Sequence, residues 1–254
     1  MEICTNVTLF FLFRWLCANK LKLNVNKTKF TLFTYKKNID MPIIKINGEE
    51  IERTLCTKIL GVDIYHTFNF KKHVSKVCSK LAYCSHILTK LRGKVNLKIL
   101  QTLYYAYANS ILEYAISIWG CTAKYILHPL QVVQNSILRS MQYVPKYTNM
   151  KTVFKRLKIL NIHSLYSYSA CCYMYKALNN LCPKHINNML IHKKSYKYAT
   201  RHLNLLSKSQ FTLDKATMCL SWKAPTLFNT LPNNIRNSSS LKSFKKNLKN
   251  HLLT

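Results

Sequence analysis

The sequence predicts an α+β fold, a small antiparallel β layer over about residues 30–65 followed by a mainly α-helical region. Three observations lead there. Short β-type runs alternate with turn signals up to about residue 69. From residue 70 onward, apolar residues recur at helical spacing almost to the last residue. Hydrophobic residues make up 48% of the 254 positions, which excludes disorder of the whole chain and leaves enough to bury a substantial core.

Taken in order, Met1–Leu21 is expected to be a helix leading in, although its start is poorly patterned. Phe30–Thr34 reads as a strand. Pro42–Ile46 and Glu50–Arg53 read as the arms of a hairpin joined by Asn47-Gly48, because a type I′ turn needs two residues that accept positive φ. Ile59–Tyr65 reads as a further strand in which Gly61 allows a bulge or a close approach by another backbone. Next, Val74, Val77, Leu81, Cys84, Leu88 and Leu91 form the seam of a helix that Gly93 ends, with Lys72, Lys76 and Lys90 on roughly the opposite side. Asn96 caps a second helix through Leu97, Leu100, Tyr104, Tyr107, Ile111 and Ala115, ending at Gly120. A third carries Leu127, Leu130, Gln134, Ile137 and Met141 and stops before Pro145. Two more cover Lys151–Leu160 and His163–Asn180. Lys184–Ser209 is polar and basic and reads as a linker or mobile loop. A tail helix after Ser238–Ser240 buries Leu241, Phe244, Leu248 and Leu252 among Lys242, Lys245, Lys246 and Lys249.

Charge sets the function classes. Lys and Arg number 39 against 8 Asp and Glu, a net charge of +31. Beyond Glu113 there are 21 basic residues and one acid, Asp214. So one-sided a surface repels itself, which calls for a polyanionic partner, nucleic acid first and an anionic membrane surface second. The same count limits chemistry. A two-metal polymerase or nuclease site needs several converging carboxylates, and here the eight acids are scattered with no two aspartates adjacent. Glu49, Glu50 and Glu52 read as a solvated hairpin edge rather than a metal site. The ten cysteines contain no CxxC pair, and Cys171, Cys172 and Cys182 are expected to pack as small hydrophobes on a helix. Reduced thiols and an intracellular setting follow, nuclear or cytoplasmic. The run Val7–Phe13 lacks the basic flank of a signal peptide, and Ile159–Tyr175 carries Asn161, His163 and three serines, so no spanning helix is expected. Four glycines leave no phosphate-cradling loop.

An ordered series of phrases adds to this reading. Asn19-Lys20-Leu21-Lys22-Leu23-Asn24-Val25-Asn26-Lys27-Thr28-Lys29 leads into the Phe30 strand. Lys58-Ile59-Leu60-Gly61-Val62-Asp63, Ile118-Trp119-Gly120, Leu227-Phe228-Asn229-Thr230-Leu231-Pro232 and Phe244-Lys245-Lys246-Asn247-Leu248-Lys249 follow. The succession resembles the part of non-LTR (LINE-type, jockey/CR1-like) retrotransposon reverse transcriptases that follows their catalytic aspartate hairpin. By that resemblance the first phrase is similar to motif D, whose lysine matches Lys27 and lies near the incoming nucleotide's phosphates. The Ile59-Leu60-Gly61-Val62 phrase is similar to the primer grip, where a Gly-containing hairpin lets backbone approach the primer terminus. From the residues alone, Lys27 and Lys29 are equally exposed residues flanking a strand, and Gly61 a bulge in a buried one.

The resemblance implies a partial palm over residues 1–69, a helical thumb-like domain over 70–183, and a basic linker with a C-terminal helical segment over 184–254. It implies a fragment of an RNA-directed DNA polymerase that binds template–primer RNA and DNA through Lys27, Lys29, Leu60, Gly61, Lys72, Lys76 and Lys90. The missing polymerase portion is a further implied partner. The tyrosine-alanine-aspartate-aspartate hairpin of the family has no counterpart ahead of the motif D phrase. The chain is therefore expected to bind no cofactor alone, Mg2+ serving the intact family, and not to transfer nucleotides alone. The alternatives are an inert retroelement relic, or a basic helical nucleic-acid or membrane-surface binder without enzymatic origin.

Overall fold

A computed structural model describes residues 2–36, 40, 42–190, 206 and 219–254. The chain divides into two compact units, Met1–His73 and Val74–Thr254. The α+β class expected from the sequence is the class observed.

The first unit runs α1 (Glu2–Ala18), a 3-10 turn (Val25–Lys27), β1 (Lys29–Phe30), β2 (Lys45–Ile46), β3 (Glu49–Glu50), β4 (Glu52–Arg53), β5 (Cys56–Ile59) and β6 (Val62–Tyr65). β2 and β3 form the expected antiparallel hairpin, and Asn47 and Gly48 both hold positive φ. Alternation along it turns Ile44 and Ile46 inward to meet Ile51, Leu9, Phe13, Leu23, Val25 and Phe30. Asn6 of α1 pins the hairpin, donating to the Ile43 carbonyl at 3.1 Å and accepting the Lys45 N–H at 3.0 Å.

Two expectations change here. The strand expected over Phe30–Thr34 shortens to β1, which pairs in parallel with β4. Past it the Thr34 N–H goes to the His66 carbonyl, and Phe33 stacks on Phe68 with centroids 4.8 Å apart, so the segment leaves the ladder. The single strand expected over Ile59–Tyr65 is instead a hairpin. β5 and β6 pair antiparallel, and the chain reverses at Leu60-Gly61, whose φ values are +45° and +83°.

The second unit is helical and begins within α2 (Lys71–Leu91). It continues with α3 (Leu97–Leu103), a π-helical segment (Tyr104–Asn109), α4 (Ser110–Glu113), α5 (Ile116–Trp119), α6 (Lys124–Gln142), α7 (Met150–Leu157), α8 (Ile162–Leu178) and α9 (Lys184–Leu190). α10 (Leu220–Asn229), α11 (Asn233–Arg236) and α12 (Leu241–Leu252) complete it. α8 is the central helix, with α10 and α12 packed on it. Tyr175 of α8 stacks on Phe244 of α12 at 4.3 Å, and its hydroxyl donates to the Ser238 carbonyl at 2.7 Å. Cys171 and Cys172 are buried on α8, and burial pushes their thiols up to about 12 and about 11.

The helix expected from Asn96 to Gly120 is broken. A π segment occupies its middle, and Ala115 takes a left-handed φ of +52°. Buried residues therefore recur every fourth position, as Leu100, Tyr104, Ala108, Leu112 and Ile116, while Tyr107, expected in the seam, is exposed. The wider π turn keeps a step of four on one face, where an α-helix would let it drift. Ser110 Oγ bonds the Ala106 and Tyr107 carbonyls at 2.6 and 3.0 Å, serving acceptors that the loosened turn exposes. The Trp119-Gly120 phrase has a packing reason. Trp119 is fully buried with Nε1 donating to the Tyr114 carbonyl at 2.8 Å, and a Cβ on Gly120 would lie 2.5 Å from the Ile116 carbonyl oxygen.

The expected 184–209 linker opens instead with α9, whose Leu190 is fully buried, and its residues 191–205 and 207–209 lie outside the described residues. Cys182 falls in the loop before α9, not on a helix. α10 was not foreseen because Pro225 lies inside it, yet Ala224 and Phe228 are core residues.

Candidate nucleic-acid interface

α2 supplies the longest basic face. Its seam of Val74, Val77, Leu81, Cys84 and Leu88 is buried to between 0% and 6% exposure. The opposite side carries Lys72, Lys76, Lys80, Tyr83 and Lys90, all exposed. At 100° per residue these five fall within roughly one quarter of the helix circumference, and at 1.5 Å per residue they run about 27 Å along it. No acid occurs between Asp63 and Glu113, so no carboxylate interrupts the row. Lys80 and Tyr83 were missed in the sequence, although Lys72, Lys76 and Lys80 are four apart and could have been read as one stripe. Gly93 ends the helix at φ +79° against Tyr143, and the Arg92 guanidinium lies 4.1 Å from that ring's centre.

The β5–β6 tip presents a different surface. Leu60 is 86% exposed on a left-handed backbone, which is unusual for a branched apolar residue, and Gly61 follows it in the turn. The strand behind the tip is anchored. Val62 and Asp63 are buried, and the Asp63 N–H is accepted by Nδ1 of buried His73 at 3.4 Å.

Lys27 closes the 3-10 turn that the Asn24 side chain caps, is exposed, and makes no ion pair among the described residues. Lys29 is exposed too, but its Nζ lies 2.7 Å from Glu52 Oε2. The named residues thus fall on three stretches of chain: Lys27 with Lys29, Leu60 with Gly61, and Lys72 with Lys76 and Lys90.

Among the described residues the acids do not fit a magnesium site. Glu52 faces Lys29, Glu50 lies 3.6 Å from Lys45, and Asp63 is buried with its carboxylate 3.8 Å from His73. Among the described residues no three His, Cys, Asp or Glu side chains are grouped to hold a metal. No helix of the described residues is long and apolar enough to cross a membrane.

No protein-family model and no solved structure matches the chain. Curated proteins do. The chain is 28% identical over 160 residues to a probable RNA-directed DNA polymerase from transposon BS of Drosophila melanogaster, covering 60% of this chain and 16% of that protein. It is 26% identical over 150 residues to the RNA-directed DNA polymerase from mobile element jockey of Drosophila funebris, covering 57% and 16%. Its identity to the jockey polymerase of Drosophila melanogaster is 20% over 186 residues, covering 72% and 19%. The chain is related to part of the jockey-type retroelement reverse transcriptases. The family resemblance read from the ordered phrases is therefore borne out. The chain matches less than a fifth of the length of those relatives.

Proposed function

We propose that this chain is a nucleic-acid-binding segment of a retroelement reverse transcriptase. It holds template–primer duplex along the α2 face and does not transfer nucleotides alone. The observation that carries the reading is the acid-free row of Lys72, Lys76, Lys80 and Lys90. A solvated lysine face is common on helices, but such faces normally interleave carboxylates, and α2 itself contributes none. At about 3.4 Å of duplex per base-pair step, a 27 Å row spans about eight steps. Its cations are suited to phosphates and not to base edges, so binding is expected to be insensitive to sequence. Lys27 and the Leu60-Gly61 tip are proposed as further contacts, a mobile cation for phosphate and a protruding apolar tip for the strand end. Lys29 is proposed as a contact only when it exchanges Glu52 for phosphate.

The test is duplex binding by the Lys72→Ala, Lys76→Ala, Lys90→Ala triple variant. Each lost phosphate contact should reduce the slope of log affinity against log salt by about 0.7–0.9. Exposed lysines contribute little to folding, so the melting temperature should hardly move. Unchanged affinity and slope in the folded variant would reduce α2 to a solvated face. Equal loss on anionic vesicles and on duplex would favour a general polyanion binder.

A further inference from the structure

A groove of about 520 Å3 opens between α6, α7, the start of α8 and the end of α12, all within the second unit. It has the size of a small-ligand site. Its lining divides into three kinds of surface. Phe154 and Leu252 give an apolar floor backed by the fully buried Ile159. Lys151 and Lys155, one turn apart on α7 and both exposed, give two cations on one wall. Gln131 and Asn135, one turn apart on α6, give an amide pair.

The amide pair is held in place by its neighbours. Gln131 Nε2 donates to Asn135 Oδ1 at 2.8 Å, while Gln131 Oε1 accepts the Ile162 N–H at 3.2 Å. That fixes the Asn135 oxygen as an acceptor and leaves its NH2 group to serve an acceptor in the groove. None of the lining residues is Asp or Glu. His163 lies at the rim, and its pKa is held below the usual histidine value by partial burial and then by Lys124 and Lys223.

An apolar floor beside a fixed amide and a pair of lysines matches a molecule with a flat heteroaromatic ring at one end and a phosphate at the other. We propose that this groove binds one nucleotide unit, its base over the Phe154 and Leu252 floor near Asn135 and its phosphate between Lys151 and Lys155. The source is either a free mononucleotide or the phosphorylated end of a strand, and the chemistry recognised is the same. The site shares no residue with the α2 face and stands or falls separately from it.

The test is titration of the full chain with dAMP, deoxyadenosine and inorganic phosphate, followed through the His163 ring protons by NMR and through heat by calorimetry. dAMP should bind more tightly than either half of it and should raise the His163 pKa, because a phosphate held by Lys151 and Lys155 brings negative charge into the groove that His163 lines, offsetting the repulsion of its imidazolium by Lys124 and Lys223. Lys151→Ala with Lys155→Ala should weaken dAMP roughly tenfold or more, as expected for losing charge-assisted hydrogen bonds. The Lys72→Ala, Lys76→Ala, Lys90→Ala variant should bind dAMP as the parent does. A 5′-phosphorylated adenine hexanucleotide that binds more tightly than both dAMP and its unphosphorylated form would make a strand end the occupant. Equal affinity for dAMP and the hexanucleotide would make it a free nucleotide. Inorganic phosphate binding as well as dAMP, no response of His163, or full affinity in the folded α7 double variant would overturn the proposal.

Discussion

Gly120 and His163 show how single residues set limits in the second unit. Gly120 has an ordinary helical φ of −70°, so backbone freedom is not its reason. Space is: an added Cβ meets the Ile116 carbonyl at 2.5 Å and the Tyr166 ring at 2.8 Å. Gly120→Ala should therefore cost about 2–3 kcal/mol by overpacking, read as a lower urea midpoint. Gly93→Ala should cost less, about 1–2 kcal/mol, because its clash is with the movable hydroxyl of Tyr143 and only its φ of +79° resists. His163 makes a pH statement. Its folded pKa is depressed, so the unfolded chain takes up the proton first, and the contribution to stability present above the unfolded value near 6.5 is lost as pH falls through the folded value. His163→Gln should remove part of the decline in urea midpoint between pH 7 and pH 5, measured as the difference from the parent. Gln134 belongs to the same scale. It is buried, donates to the Tyr104 hydroxyl and the Leu160 carbonyl at 2.9 Å each, and so ties three segments together.

At the scale of elements, what the sequence displayed depended on whether the deciding contact was local. Asn47-Gly48 announced its hairpin because both residues accept the φ that a type I′ turn demands. α2 announced itself through its seam and through Gly93. Leu60-Gly61 makes the same kind of turn, but the residues alone gave a strand with a bulge, because leucine is a poor left-handed residue, and only the resemblance to the primer grip implied a hairpin there. That mismatch yields a prediction. Leu60→Gly should preserve the hairpin and raise stability by up to about 1 kcal/mol, since strain is relieved and little packing is lost at 86% exposure. If the tip meets a strand end, the same variant should bind template–primer more weakly. A stabilised variant with full affinity would leave the tip without a binding role. The shortened β1 and the Pro225 helix were hidden for another reason, since each is decided by residues distant in sequence: His66 and Phe68 for one, α8 for the other. Of the candidate interface, the three lysines of α2 were legible, whereas Lys80 and Tyr83 needed the helix to be drawn, and the groove beside α7 needed the tertiary fold.

The whole molecule carries +31 charges, and beyond Asp63 its acids are Glu113 and Asp214. The Lys29–Glu52 and Lys45–Glu50 ion pairs and the Asp63–His73 contact lie in the first unit. The second unit is thus held by apolar burial and hydrogen bonds against its own repulsion. Added salt shortens the reach of that repulsion, to about 8 Å at physiological strength, with little carboxylate pairing to weaken in exchange. The melting temperature should rise between 50 and 500 mM NaCl while duplex affinity falls over the same range. A melting temperature that falls with salt would mean that attractive pairs dominate.

The π segment bears on which changes of length the gene can absorb. A π turn holds one residue more than the α turn it replaces, and here Tyr107 is one of three exposed residues within it. Loss of that codon would leave Leu100, Tyr104, Ala108 and Leu112 separated by four, three and four positions, the spacing of an unbroken α-helix. The reading frame and the buried stripe would both survive. Loss of one codon from the middle of α6 would instead turn Ile137 and Met141 about 100° away from the core. A one-residue gap is therefore tolerable in the segment Tyr104–Asn109 and disruptive one helix later.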